Sequence, residues 1–205
     1  MSDNTMWEIE NSFYEKGFKL ICGIDEAGRG PLAGPVCAAA VILPEHAEIP
    51  GLNDSKKLSD KKRRELMPLI MEQALAYGIA FASESEIDEI NILQATFLAM
   101  KRALELLDIQ PDLVLVDGNR DPNLGLTTET VVHGDSLSAN IAAASVLAKV
   151  TRDDLMIELA EKYPQYGFEV HKGYGTKVHY QALEQFGPCE IHRQSFLKKF
   201  YAQQH

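Results

Sequence analysis

Apolar positions along the chain fall into short continuous runs and longer helical stripes, and their alternation predicts an α/β fold. Lys19–Ile24 is a short strand candidate ending at Asp25-Glu26; the turn-rich stretch AGRGPLAGP then leads into a second apolar run, Val36–Leu43, which could pair with it as a hairpin. Ser59 is placed to cap a helix with apolar positions Leu66, Leu69, Ile70, Ala74 and Tyr77, which Pro68 should kink or divide and Gly78 should close. A third strand is expected at Ile79–Ala82. From Ser85 to Leu107 the residues Leu93, Phe97, Met100, Leu104 and Leu107 recur at steps of 4, 3, 4 and 3, the stripe of a core-facing helix. Pro111 breaks that pattern before Leu113–Val116, a run typical of a strand buried on both faces, which ends at Asp117-Gly118. Thr128–His133 alternates as a fifth strand and ends near Gly134-Asp135. An Ala-rich helix from Leu137 to about Lys162 and a last helix, Thr176–Phe186, complete the pattern.

Composition narrows the class. The 205 residues suit one core, with 45% hydrophobic and 24% charged side chains and no repeat or low-complexity linker. Val36–Leu43 is about half of what a bilayer span requires, and the amino terminus MSDNTMWEIEN is acidic with no apolar signal region. Three cysteines, Cys22, Cys37 and Cys189, form no CxxC pair, which predicts reduced thiols in a cytoplasmic protein without a membrane partner. The net charge of −10 argues at first against nucleic acid. Its distribution changes that argument: residues 65–148 carry 13 acidic and 3 basic side chains, whereas 1–64 and 149–205 are nearly balanced. Lys56, Lys57, Lys61, Lys62, Arg63 and Arg64 crowd around Asp60, either as a solvated helix face or as a local phosphate-binding surface.

Carboxylates carry the chemistry. Asp25, Glu26, Asp117 and Asp135 all fall at expected strand ends, where open α/β sheets place their sites. Carboxylates brought to one rim repel one another unless protonated or neutralised by a cation, and oxygen ligands without His or Cys suit Mg²⁺ or Mn²⁺. The plainer alternative is that acidic residues terminate strands and cap turns, Asp135 in particular as an N-cap. The segment GRGPLAG lacks dinucleotide-loop spacing, and no serine-hydrolase, zincin or P-loop motif occurs.

The segments GIDEAGRGPLAGPV (23–36), LNDSKKLS (52–59), VDGN (116–119), HGDS (133–136), AAASVLAKVTRD (142–153) and YPQYGFEVHKGYGT (163–176) together resemble bacterial ribonuclease HII, the type 2 ribonuclease H, in that family's order. The resemblance implies a ribonuclease H-like mixed five-stranded sheet with flanking helices and a helical carboxy-terminal region. It divides the chain into an extension (1–18), a catalytic core (19–162) and a helical region packed on it (163–205). It implies hydrolysis of the RNA strand of RNA–DNA hybrids and cutting at single ribonucleotides in duplex DNA. By the same resemblance Asp25, Glu26, Asp117 and Asp135 are catalytic acids and ligands of Mn²⁺ or Mg²⁺, Gly28-Arg29-Gly30 is a ribose-reading loop, and Tyr174 is a stacking tyrosine.

The chemistry of the residues agrees. Two divalent ions about 3.5–4 Å apart can activate water, stabilise the phosphate charge and assist the leaving oxygen. Asp153 is a rival fourth ligand, but four residues from Lys149 in a helix it reads as an ion-pair partner. Asn53, Ser55, Lys56, Lys149 and Arg152 are expected to hold duplex phosphates. Gln194, Leu197, Phe200 and Tyr201 have the spacing by which short segments dock on sliding clamps, unless their apolar members pack on the body. His133, His171, His179 and His192 read as structural, and Cys22 and Cys37 as small core residues. Two alternatives stand beside this reading: another metal-dependent nuclease of the same fold, and a non-catalytic, cation-stabilised nucleic-acid-binding protein.

Overall fold

The computed structural model describes residues 4–202. Five strands, β1 (Ile21–Ala27), β2 (Val36–Ile42), β3 (Ala76–Ala82), β4 (Leu113–Asp117) and β5 (Thr128–Val131), form one sheet in the order β3-β2-β1-β4-β5. The β1–β2 and β2–β3 pairs are antiparallel, while β1–β4 and β4–β5 are parallel, so the sheet is mixed. The helices are α1 (Glu8–Tyr14), α2 (Asp60–Gln73), α3 (Glu84–Glu105), α4 (Ala139–Lys162), α5 (Phe168–His171), α6 (Lys177–Phe186) and α7 (Lys198–Ala202). Among the described residues none is long and apolar enough to cross a membrane.

Strand β2 is buried on both faces, which is why its run is continuously apolar. Val36, Ala38, Ala40 and Ile42 pack on the α3 side, and Cys37, Ala39 and Val41 pack with α4 and α2 on the other. Helix α4 lies so close that Ala139 to Ala148 are buried all round, and small side chains there permit the approach. A third cluster joins Leu32 and Ala33 of the loop after β1 to Met156 of α4 and to Tyr166, Phe168, Leu183, Ile191, Leu197 and Phe200.

Several elements differ from the sequence expectations. Strand β1 runs through Asp25 and Glu26 to Ala27 instead of stopping before them. Helix α2, capped by Ser59 as expected, passes Pro68 unbroken and ends at Gln73. Pro68 is on its exposed face, where solvent can take over the lost backbone bond. Tyr77 and Gly78 lie in β3. A Cβ on Gly78 would stand 2.1 Å from the Ala103 carbonyl oxygen, so this glycine admits α3 to the sheet and stops no helix. Helix α3 starts with a Ser83–Glu86 capping box and is kinked at Asn91 (φ 68°), whose Oδ1 accepts from the N–H groups of Leu93 and Gln94. The kink rotates the second half, and the buried stripe is Ile87, Ala95, Thr96, Ala99, Met100 and Ala103. Phe97, Leu104 and Leu107 pack on its flank, half-buried.

Helix α1 was not legible in the sequence. Its Glu10 is fully buried, and Oε1 accepts from Ser138 Oγ (2.6 Å) and from Asn140 N and Nδ2 (3.1 Å each), tying the first residues to the start of α4. Burial raises the Glu10 carboxyl above its ordinary range.

Candidate active site

The three parallel strands end at one rim. Ile24 of β1 is in register with Val116 of β4, so the next residues, Asp25 and Asp117, stand side by side. Asp117 in turn is in register with Val131 of β5, and the chain then turns at Gly134–Ser136 in a single 3₁₀ turn that presents Asp135. Asp117 Oδ1 accepts from the Gly134 amide at 2.7 Å, which fixes that turn to the strand end. One carboxylate oxygen each of Asp25, Asp117 and Asp135 lies within 4.8 Å of the other two. The N-cap of α4 is Ser138, so Asp135 is not needed for capping.

Glu26 is not a member of that trio. It points to the neighbouring cleft, which it lines with Arg29, Phe97, Met100, Asp117 and Arg120, and its carboxylate faces the Arg29 guanidinium at 3.4 Å. Burial is the first cause of the raised Asp25, Glu26 and Asp117 carboxyls; Glu26 and Asp117 add repulsion at Asp25, and Asp135 adds it at Asp117. Lys56 partly offsets this charge, its Nζ donating to Asp135 Oδ2 at 3.0 Å. An all-oxygen, mutually repelling, largely buried donor set fits Mg²⁺ or Mn²⁺.

The residues expected to hold phosphates divide. Asn53 and Lys56 are exposed, and Lys56 reaches the trio through Asp135. Ser55 is buried and its Oγ bonds Ser145 Oγ at 2.5 Å, so it does not face a duplex. Lys149 is half-buried and donates to Asp153 at 2.7 Å, the ion pair the helix spacing predicts. Arg152 must be withdrawn as a phosphate ligand: it is 1% exposed, and its guanidinium donates to the carbonyls of Pro35, Lys172 and Ala33. Its place on the buried stripe, four residues from Ala148 and from Met156, was the available signal. Much of the basic cluster is also engaged within the fold. Arg63 donates to the Ser55 and Leu58 carbonyls, and Arg64 pairs with Asp60 and Asp154.

The Gly28-Arg29-Gly30 loop is held from inside. Gly28 is buried with φ +93°, and a Cβ there would lie 1.9 Å from Arg152 Nε, so its role is internal and it does not approach a groove. Gly30 is exposed, and its absent Cβ would meet only the Tyr174 ring, at 3.6 Å. Tyr174 is 43% exposed, and Leu32 N donates to Gly173 O at 2.8 Å, joining the two segments. Arg193, which the sequence reading missed, donates to the carbonyls of Gly28 (2.6 Å), Arg29 (3.0 Å) and Gly34 (2.8 Å). Burial and the nearby Arg152 push its guanidinium down to about 9. Nothing in the local sequence IHRQSF distinguishes it from a surface arginine.

In the tail segment Leu197 and Phe200 are buried in the third cluster, whereas Tyr201 is exposed and its OH donates to Gln194 Oε1 at 2.7 Å.

A search of solved structures finds the same architecture. The ribonuclease H2 of Pyrococcus horikoshii matches with a TM-score of 0.74 at 27% identity, over 90% of this chain and 98% of that one. The ribonuclease HII of Archaeoglobus fulgidus, solved in complex with PCNA, matches with 0.69 at 26% identity, over 85% and 94%. Fold and carboxylate rim together define a nuclease of the ribonuclease H-like class. The ribonuclease HII family model covers residues 22–199. Ribonuclease HII of Caldicellulosiruptor bescii is 55% identical over 96% of this chain and 95% of its own length, and that of Endomicrobium trichonymphae 58% identical over 94% and 92%. The chain belongs to the ribonuclease HII family.

Proposed function

We propose that this enzyme hydrolyses the RNA strand of RNA–DNA hybrids and cuts duplex DNA at single embedded ribonucleotides, with Asp25, Glu26, Asp117 and Asp135 as its catalytic carboxylates. The observation that carries this reading is the convergence of three carboxylate oxygens within 4.8 Å at the rim of the sheet that also bears Gly30 and Tyr174. Asp25, Asp117 and Asp135 would hold Mg²⁺ or Mn²⁺, which would supply an activated water and stabilisation of the phosphate and leaving oxygens.

The chain's own residues account for ribose selection. The peptide bonds among the described residues are trans, so a carbonyl and the amide that follows it point in opposite directions. Arg193 draws the Gly28 and Arg29 carbonyls inward, which turns the Arg29 and Gly30 N–H groups outward. Two donors on one side suit an oxygen acceptor, and a ribonucleotide offers a 2′-OH where DNA offers hydrogen. Tyr174, beside Gly30, stacks on the adjoining sugar. Lys56 and Asn53 remain as phosphate contacts. Lys56→Ala should weaken hybrid binding and flatten the dependence of log affinity on log salt by about one unit; an unchanged slope removes Lys56 from the interface.

Initial rates on an RNA–DNA hybrid, a duplex with one ribonucleotide and an all-DNA duplex test the reading. Cleavage of the first two alone is expected. Cleavage of all three favours a general nuclease of this fold, and cleavage of none favours a binding protein. Docking on a sliding clamp through Gln194, Leu197, Phe200 and Tyr201 would first require α7 to leave the body, because Leu197 and Phe200 are buried there.

A further inference from the structure

Three histidines form a buried, hydrogen-bonded group directly behind Tyr174. His179 Nδ1 lies 2.9 Å from the Tyr174 carbonyl oxygen, and its Nε2 lies 3.0 Å from His192 Nε2. His192 Nδ1 lies 2.9 Å from the Cys189 amide nitrogen. The rings of His171 and His179 stack at 4.5 Å, and Phe168 and Tyr166 meet His179 edge-on.

The shortest contact at each ring nitrogen sets the tautomers. A carbonyl oxygen can only accept, so His179 Nδ1 carries hydrogen and donates to Tyr174. In neutral His179, Nε2 is then a bare acceptor, and His192 Nε2 must be the donor opposite it. His192 Nδ1 is therefore bare and accepts from the Cys189 amide at 2.9 Å, with the Cys189 thiol 3.1 Å away as a second donor; the Cys189 carbonyl oxygen, at 3.3 Å, receives no hydrogen from it. His171 closes the set independently: Nε2 donates to the Tyr166 carbonyl (2.7 Å), and Nδ1 accepts from the Gly173 amide (3.2 Å). Charging His179 would leave two donors face to face across the Nε2–Nε2 contact. Burial, with the neighbouring imidazoles, pushes both down to about 4, so both are neutral at ordinary pH.

The relay connects two parts of the substrate-facing surface. His192 bridges to Ala33 in the loop after β1, and Arg193, the next residue, grips Gly28 and Arg29. At its other end the relay holds the main chain of the residue whose ring lies over Gly30. We propose that the His192–His179 pair is a positioning relay that holds the Tyr174 backbone, and hence its ring, in register with the Gly28-Arg29-Gly30 loop. This rests on the reading that Tyr174 stacks on the ribonucleotide sugar.

Two side chains of similar shape separate the roles of the ring nitrogens. The amide nitrogen of Asn can take the place of Nδ1, whereas that of Gln reaches toward Nε2. His179→Gln should raise KM for a duplex with one ribonucleotide about tenfold with kcat within about twofold, the loss expected of one well-placed hydrogen bond. His179→Asn should restore KM to within about threefold of wild type. In a Tyr174→Ala background His179→Gln should add nothing, because the two act as one unit. An unchanged KM in His179→Gln, or a full additional loss on top of Tyr174→Ala, overturns the relay. A wild-type KM in Tyr174→Ala overturns the stacking reading itself, and the relay with it. ¹⁵N spectra of the wild-type histidines at pH 7 give a test that does not depend on how the variants fold. Hydrogen on Nδ1 of His179 and on Nε2 of His171 and His192 is expected, and hydrogen on Nε2 of His179 overturns the proposal.

Discussion

Asp117→Asn is expected to reduce cleavage by at least ~10³-fold while the protein remains folded. Asp117 stands at the centre of the rim, its carboxylate facing both Asp25 and Asp135 and accepting from the Gly134 amide. Asparagine can keep that last bond through its own oxygen, so the turn that presents Asp135 survives. It removes one of the repelling charges, so the metal-free variant should be as stable as wild type or more so. The pH dependence has a definite sign. The Asp25 carboxyl lies well above its ordinary 3.8, first through burial and then through Glu26 and Asp117. A raised folded-state value contributes stability that is complete below 3.8 and is lost as the pH climbs through the folded-state value. The stability advantage of Asp117→Asn in metal-free protein should therefore widen as the pH rises above 3.8. Mn²⁺ at a hundredfold excess over Kd should stabilise wild type by about 2.7 kcal/mol and the variant by less. Thermal melts across pH, with and without Mn²⁺, read both effects. A variant less stable than wild type throughout would mean that Asp117 is held chiefly by structural bonds.

Arg193→Met is expected to cost about 3 kcal/mol or more and to lower kcat/KM on a single ribonucleotide by about 10²-fold. Three carbonyls lose their donor, two of them buried, and hydrogen bonds to a charged group each contribute about 1.5–3 kcal/mol. Methionine fills the volume but donates nothing. Arg193→Lys should not restore activity, because a single ammonium cannot reproduce a planar fork reaching the Gly28, Arg29 and Gly34 carbonyls. The carboxylate rim is built by other elements, so stabilisation by Mn²⁺ should persist in both variants. That separates loss of ribose selection from loss of the metal site. Wild-type cleavage by Arg193→Met would show that the loop keeps its shape without this clamp.

Asp25 and Asp117 were legible in the sequence because each follows directly on an apolar run, a local pattern that strand pairing converts into proximity. Helix starts at Ser59 and Thr176 were equally local, set by side-chain caps on the first turn. Gly78 was misread because a glycine after an apolar helix pattern has the same local signature as one inside a strand; its meaning depends on Ala103, far along the chain. Arg152 and Arg193 failed for a related reason. An arginine's surroundings decide whether it faces phosphate or backbone, and their acceptors are the Gly28–Pro35 segment and Lys172, distant in sequence. The tail motif shows the same limit, since the spacing that suits a clamp also lets Leu197 and, in the short helix after it, Phe200 be buried against the chain's own body.

The central claim is that the carboxylate rim works only as a metal-loaded site acting at ribose. It is tested most directly by the initial rate on a duplex containing one ribonucleotide, measured in excess chelator and again after Mn²⁺ is restored. The account predicts no cleavage in chelator and full recovery with Mn²⁺, confined to the ribonucleotide. Wild-type turnover in excess chelator would contradict it.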